Sequence, residues 1–292
     1  MTRLKRRSDW PKARKAALAD AEALTREVSA GLPVDLFAIA KRRLVKRVEF
    51  RQLLVEGALS VMPNGFNVYI NCDPGEGEQL TEEFAANGTG VTLPHRIRAR
   101  ARFTIAHELA HTFLYDVRTL PPKPRITLKG PTSLRSLERL CSVVAGALVL
   151  PEWIIRAEAE REGLADSRKL RTLADRALIS SETLVRRLTK VAPEQHPPCV
   201  VAAVEKQSSD LIIRAISRHY RFAELFGGAG AGTPFSSFIY HPDLVAFGGE
   251  LTSVALPVRY STGTAMPYLI ECESRAKRAA TTFLVTARPA ND

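Results

Sequence analysis

In the stretch RARFTIAHELAHTFLYD, residues 100–116, two histidines stand four positions apart with a glutamate directly after the first. Residues four apart on a helix lie on one face with β-carbons about 5–6 Å apart, so the imidazoles of His107 and His111 can address a single ion. The pattern is half of a zinc site. Glu108, one position along, falls beside the ion rather than onto it, where a carboxylate can take a proton from an attacking water and return it to a leaving amine. HExxH is the spacing expected of a zinc peptidase.

A five-residue pattern also recurs by chance, so the flanks matter. Thr104, Ile105, Leu109, Ala110, Thr112 and Phe113 are uncharged, as in a helix buried beneath a sheet. Two histidines and a glutamate buried there without partners would cost several kcal/mol, and a metal removes that penalty. A catalytic zinc has three protein ligands and one open position. Asp116, five residues past His111, points well around a continued helix and is a poor third ligand. Glu138 opens a helix in which Ser142 and Ala145, on the same face, are small enough for close packing against the histidine helix. An ordinary glutamate at a helix N-terminus, favoured by the helix dipole, has the same spacing. Spacing alone leaves the two readings of Glu138 even.

The elements that must position these groups follow from periodicity. Residues 10–30 have helical spacing, and LPVDLFAIAKRRL starts a second helix with Pro33 and Asp35 in its first turn. The segment 46–71 changes period. Short β-rich runs flank Pro63-Asn64-Gly65, a hairpin signal, and Phe66, Val68 and Ile70 alternate with polar Asn67 and Asn71. A small sheet therefore precedes the histidine helix. A Pro-rich loop (120–133), a helix over about 133–150 and further helices to about 190 follow it. VAPEQHPPCV (191–200) interrupts all periodicity and is expected to be a linker. Beyond it, runs at 199–217, 251–260 and 281–287 are expected strands, with HYRFAELF (219–226) helical between them. GGAGAG (227–232) follows a helical run instead of opening one, the wrong context for a dinucleotide loop, and is expected to be a flexible loop.

Composition bounds the rest. With 292 residues, 45% hydrophobic, the chain can bury a sizeable core and suits two compact units or one elaborated domain. Its longest apolar run, Leu140–Leu150, is far short of the roughly 20 residues of a spanning helix, so no membrane span is expected and a cytoplasmic location is. Cys72, Cys141, Cys199 and Cys272 stand alone without CxxC spacing, which points to reduced, mostly buried thiols. The net charge is +11, and residues 1–47 hold 13 Lys/Arg against 5 Asp/Glu. A run such as KRRLVKR (41–47) could meet nucleic acid or an acidic partner, but a charge run on a helix is more often a solvated face.

The motifs resemble those of the ImmA/IrrE metallopeptidases, bacterial and phage zinc proteases that regulate transcription. RARFTIAHELAH is similar to that family's R-x-R-F-T-x-A-H-E-x-x-H, with Arg100, Arg102, Phe103, Thr104, Ala106, His107, Glu108 and His111 in matching places. ERLCSVVAGALVLP (138–151) resembles its E-x-x-C/A-N-x-x-A-A-x-L-L-M-P helix, whose glutamate is the third zinc ligand; Glu138 occupies that place. Ser142 stands where the family commonly has Asn, and Gly146 and Leu150 replace Ala and Met. The resemblance covers about residues 30–190. It implies an α+β chain: a zincin-like metallopeptidase domain (1–155), a helical, helix-turn-helix-like segment (156–195) and a C-terminal α+β, GAF-like sensor domain (199–292). LRTLADRALISSETLVRRL (170–188) matches the middle segment, with a short helix, a turn near Ile179 and a helix capped by Ser180.

The resemblance also implies a gluzincin-like endopeptidase with zinc held by His107, His111 and Glu138, with Glu108 as catalytic base and Mn²⁺ as a candidate activator in assays. Its implied substrate is an XRE-type helix-turn-helix repressor, cut at one site so that its genes are expressed. His95 and Tyr115 are guesses for the group that stabilises the oxyanion. The alternative is a transcription regulator that binds DNA through residues 170–188 and the basic N-terminus, with a structural or dormant zinc site. Glu108 argues against it, because a structural site has no use for a carboxylate there; Arg186 and Arg187 alone make no recognition surface.

Overall fold

The computed structural model describes residues 9–87, 89, 93, 95–125, 131–162, 167–188, 191, 200–207, 210–218, 232, 252–259, 265–276 and 281–289. The chain divides into two compact units, residues 1–152 with 177–179, and residues 153–176 with 180–292. It is a mixed α+β protein.

The first unit is built around three strands. Helix α1 (Asp9–Val28) and α2 (Leu36–Arg42) lead in, and β1 (Val45–Arg51), β2 (Gly57–Met62) and β3 (Gly65–Asn71) form a sheet in the order β1-β3-β2. Asp35 is the N-cap of α2 rather than part of its first turn, its Oδ1 accepting from the N–H of Phe37 and of Ala38, both at 2.9 Å. The β2–β3 hairpin turns at Pro63-Asn64, as its sequence signals. Gly65 is needed there: its φ is +148°, and a β-carbon would lie 2.1 Å from the Leu44 carbonyl oxygen. That oxygen also accepts from the N–H of Phe66, which locks the end of α2 to the start of β3.

Period 2 is visible in burial. Phe66, Val68 and Ile70 of β3 are buried with Val48 and Phe50 of β1, while Asn71 is exposed. The outer edge of β1 is covered by α3 (Gly77–Asn87), whose Thr81 Oγ1 accepts from Phe50 N–H at 2.9 Å and whose Phe84 meets Phe37 and Phe50 edge-on. The sequence reading assigned no element there. The histidine helix α4 (His95–Thr112) lies against β2 and β3. A short ribbon, β4 (Tyr115–Asp116) and β5 (Lys123–Pro124), follows, and α5 (Pro131–Val149) packs along α4. Ile105 and Leu109 of α4 and Phe113 just beyond it, with Cys141, Val144, Ala145 and Leu148 of α5, are fully or nearly fully buried. The larger of these side chains, Ile105, Leu109, Phe113, Val144 and Leu148, contribute about 1.5–3 kcal/mol each when taken from water.

Two arginines of this unit are not where charge usually lies. Arg43, inside the run KRRLVKR, is buried, its guanidinium 4.5 Å from the centre of the Phe113 ring. It donates to the carbonyls of Thr112 and Tyr115 and to Thr112 Oγ1, and so caps the C-terminal end of α4. Arg102 is fully buried and donates to the carbonyls of Thr89 and Val34. The histidine helix therefore carries a buried arginine as well as its buried glutamate.

The second unit contains α6 (Glu152–Glu162) from Trp153 onward, α7 (Ser167–Ala177), α8 (Ser181–Leu188) and a five-stranded antiparallel sheet, β6 (Val200–Gln207), β7 (Asp210–Arg218), β8 (Thr252–Arg259), β9 (Ala265–Ala276) and β10 (Thr281–Pro289), in the order β7-β6-β10-β9-β8. Ser180 Oγ accepts from Thr183 N–H at 3.1 Å, the expected cap. Helix α8 lies against β6 and β7, so the helical segment and the sheet, treated as separate blocks in sequence, share one unit. Strand β9, central beside β10, was unassigned in sequence. The helix expected at 219–226, nearly all of the GGAGAG run and nearly all of the linker at 191–200 lie outside the described residues. Among the described residues, no single helix is long and apolar enough to cross a membrane.

Candidate metal centre

Helix α4 brings His107 and His111 onto one face, their rings 5.1 Å apart between centroids. Helix α5 brings Glu138 to meet them: His107 Nε2 is 3.0 Å from Glu138 Oε2, and His111 Nε2 is 3.7 Å from Glu138 Oε1. One ligand atom from each of the three lies within 4.8 Å of the others. Donors bound at about 2.0–2.2 Å in a tetrahedral zinc site stand roughly 3.3–3.5 Å apart, so the set fits one divalent ion with small side-chain adjustments. The histidine side chains are 18% exposed and that of Glu138 47%, so the carboxylate faces the open side.

The surroundings favour ligation. Burial pushes the His111 pKa down, towards the neutral imidazole that binds metals, although the Glu138 charge opposes this. Ser142 Oγ donates to the Glu138 carbonyl at 2.9 Å and lies 3.4 Å from His107 Nδ1. Nδ1–H donation to that oxygen leaves Nε2 with its lone pair towards Glu138, the orientation a ligand needs. Ser142 thus contacts the imidazole at the place where the related motif commonly has Asn.

Glu108 is 7% exposed, and its carboxyl is pushed up to about 7, first by burial and second by the Glu138 charge. It lines a cleft of about 330 Å³ together with His111, Glu138 and Gly57, with apolar walls from Leu59, Val61, Leu114 and Leu137. Tyr115 also lines it, its ring edge-on to Phe66 at 5.3 Å. The side chain of His95 is outside the described set. Asp116 is engaged elsewhere: Arg118 donates to it from Nε at 3.0 Å and from its backbone N–H at 3.1 Å, which holds the carboxyl down to about 2. Sequence reasoning had no signal for Gly57 in the cleft beyond a glycine at the start of a strand.

The mixed α+β chain thus brings two histidines and a glutamate together beside a buried carboxylate, a donor set that could hold one divalent ion. Residues 94–189 match the family model described as IrrE N-terminal-like domain. It is 36% identical over 105 residues to the radiation response metalloprotease IrrE of Deinococcus radiodurans, a match that spans 36% of this chain and 30% of that relative. It is 28% identical over 199 residues to the protein of the same description from Deinococcus deserti, spanning 64% of this chain and 68% of that relative. In fold it is similar to a solved Mycobacterium tuberculosis transcriptional regulator, with a TM-score of 0.54, 14% identity, and coverage of 96% of this chain and 78% of that one.

Proposed function

We propose that this chain is a zinc-dependent, site-specific endopeptidase that cuts an XRE-type helix-turn-helix repressor and so releases the repressor's genes, in a stress or mobile-element response in the cytoplasm. The observation that carries the reading is the convergence of His107, His111 and Glu138 with Glu108 in one apolar-walled cleft. His107, His111 and Glu138 would hold a zinc ion, which would supply Lewis-acid polarisation of the scissile carbonyl. The protein's own groups do the rest. Glu108, with a carboxyl near neutral in its affinity for protons, takes one from the attacking water and delivers it to the leaving amine. Leu59, Val61, Leu114 and Leu137 exclude water around the bond. Strand β2, paired only with β3 among the described residues, offers a free edge on which an extended peptide can lie. In this reading the first unit has a zincin-like core and the C-terminal sheet is a GAF-like sensor that sets when the peptidase acts.

The DNA-binding alternative meets an obstacle in α8. Leu184, Val185, Arg187 and Leu188 are buried, and Arg186 is engaged with Glu182 at 2.9 Å, which leaves little of the helix to read bases.

The test mixes the purified protein and Zn²⁺ or Mn²⁺ with an XRE-type repressor encoded by an adjacent short reading frame, where one is found, and follows that repressor on a gel. One discrete cut is expected. Glu108→Gln keeps the shape and the metal ligands but removes the proton acceptor, so cleavage should fall by about 10²-fold to 10⁴-fold with metal content unchanged. Normal cleavage by a folded, metal-loaded Glu108→Gln protein would sink the peptidase reading.

A further inference from the structure

Gly57 begins β2, opposite Ile70 of β3, in ordinary strand pairing. Its backbone is not in the left-handed region, so conformation does not call for glycine there, and a glycine inside a strand normally weakens it. The reason lies in what stands opposite. A β-carbon at position 57 would lie 2.8 Å from Thr104 Cγ2, 2.9 Å from Glu108 Oε1 and 3.0 Å from Glu108 Cγ. Thr104 cannot easily turn away, because its Oγ1 donates to the Arg100 carbonyl at 3.0 Å and fixes the side chain. Glu108 is 7% exposed and borders the cleft. A methyl group at 57 therefore requires both neighbours to shift, and the Glu108 carboxylate, at the end of the longer side chain and bordering the cleft, is the group with room to move.

We propose that Gly57 is a positioning residue: the volume of its missing side chain is the space in which the Glu108 carboxylate stands. The inference rests on the peptidase reading for its effect on rate, but the packing relation between the two residues does not depend on it. Gly57 touches neither substrate nor metal ligand in this role. It acts through Glu108, and it explains why a strand that borders the cleft begins with the one residue that adds nothing to the strand.

The experiment has two readouts. In thermal unfolding of the metal-free protein, Gly57→Ala should lower Tm by about 2–4 °C or more, the scale of a modest packing defect in a chain of this size. In a Glu108→Ala background the same substitution should cost much less, because two of the three close contacts are gone. With Zn²⁺, Gly57→Ala should bind the metal as the parent protein does and cut the neighbouring repressor with kcat reduced by about 10²-fold, the scale of a misplaced reacting group, while KM stays close to that of the parent. An equal Tm loss in both backgrounds, an undiminished kcat, or a change in KM alone would overturn the proposal. If Gly57→Ala fails to fold but Gly57→Ala with Glu108→Ala folds, the coupling is shown by that difference; if both fail, the proposal falls. Coupled Tm values with no cleavage by the parent protein would sink the peptidase reading and leave the packing relation standing.

Discussion

Glu138 reaches the metal centre from a different helix than the two histidines, so its role depends on how α4 and α5 pack rather than on anything local. Elemental analysis of purified protein should find about one divalent ion per chain, the count for a catalytic site. His107→Ala and Glu138→Ala should each lose most of it, and Asp116→Ala should not. Equal metal in Glu138→Ala and the parent, or loss in Asp116→Ala, would show that the wrong carboxylate had been chosen. At this scale the site was legible to different depths. HExxH named three residues because the chemistry sits on one helical turn, where spacing fixes geometry. Glu138 was only even on spacing, since sequence does not encode which helix faces align. Gly57, Arg43 and Arg102 were illegible: a glycine opposite a carboxylate, and arginines whose acceptors are backbone carbonyls up to 72 residues away, leave no pattern in the chain.

Helix α4 ends where its last carbonyl, that of Thr112, meets the Arg43 guanidinium, whose own pKa is lowered to about 10, mainly by burial. Arg43→Met keeps the apolar stem over Phe113 but leaves the buried acceptors of Thr112 and Tyr115 without this donor, a loss of about 1–3 kcal/mol per unsatisfied group. Denaturant titration should show the midpoint falling accordingly, with Arg43→Lys recovering only part because one ammonium cannot serve three acceptors in the same fork. A midpoint unchanged in Arg43→Met would mean that water replaces the arginine. Among the elements, α1, α2, α5 and the β2–β3 hairpin followed from capping, periodicity and the Pro-Asn-Gly turn. Strand β1 reads as β-rich, yet its parallel pairing with β3 places two strands side by side that are not consecutive, which local signals do not report. Helix α3, rich in acidic and small residues, has weak periodicity and is held by Phe84 and Thr81 against β1 rather than by propensity.

At the scale of the molecule, all four site residues lie in the first unit, whereas α8 belongs with the sheet of the second. A fragment of residues 1–195 should therefore still bind the metal, but with a lower Tm than the full chain, because Leu184, Val185 and Leu188 of α8 lose the sheet beside them. A fragment that binds metal and melts like the parent would show that α8 needs nothing from the sheet; a wholly unfolded one would show that the two parts share one core.

Among the described residues, the three-stranded sheet has one edge shielded by α3 and one left open along β2. A chain joining that edge must arrive extended over about the six residues of the strand, with its own backbone groups unpaired. Folded proteins rarely present such a segment at rest. For the proposed peptidase, the rate at which a repressor is consumed is then set by how often the repressor opens locally, and its half-life in the cell becomes a gauge of its own stability. A partner or DNA site that holds the repressor closed would protect it without ever touching the enzyme.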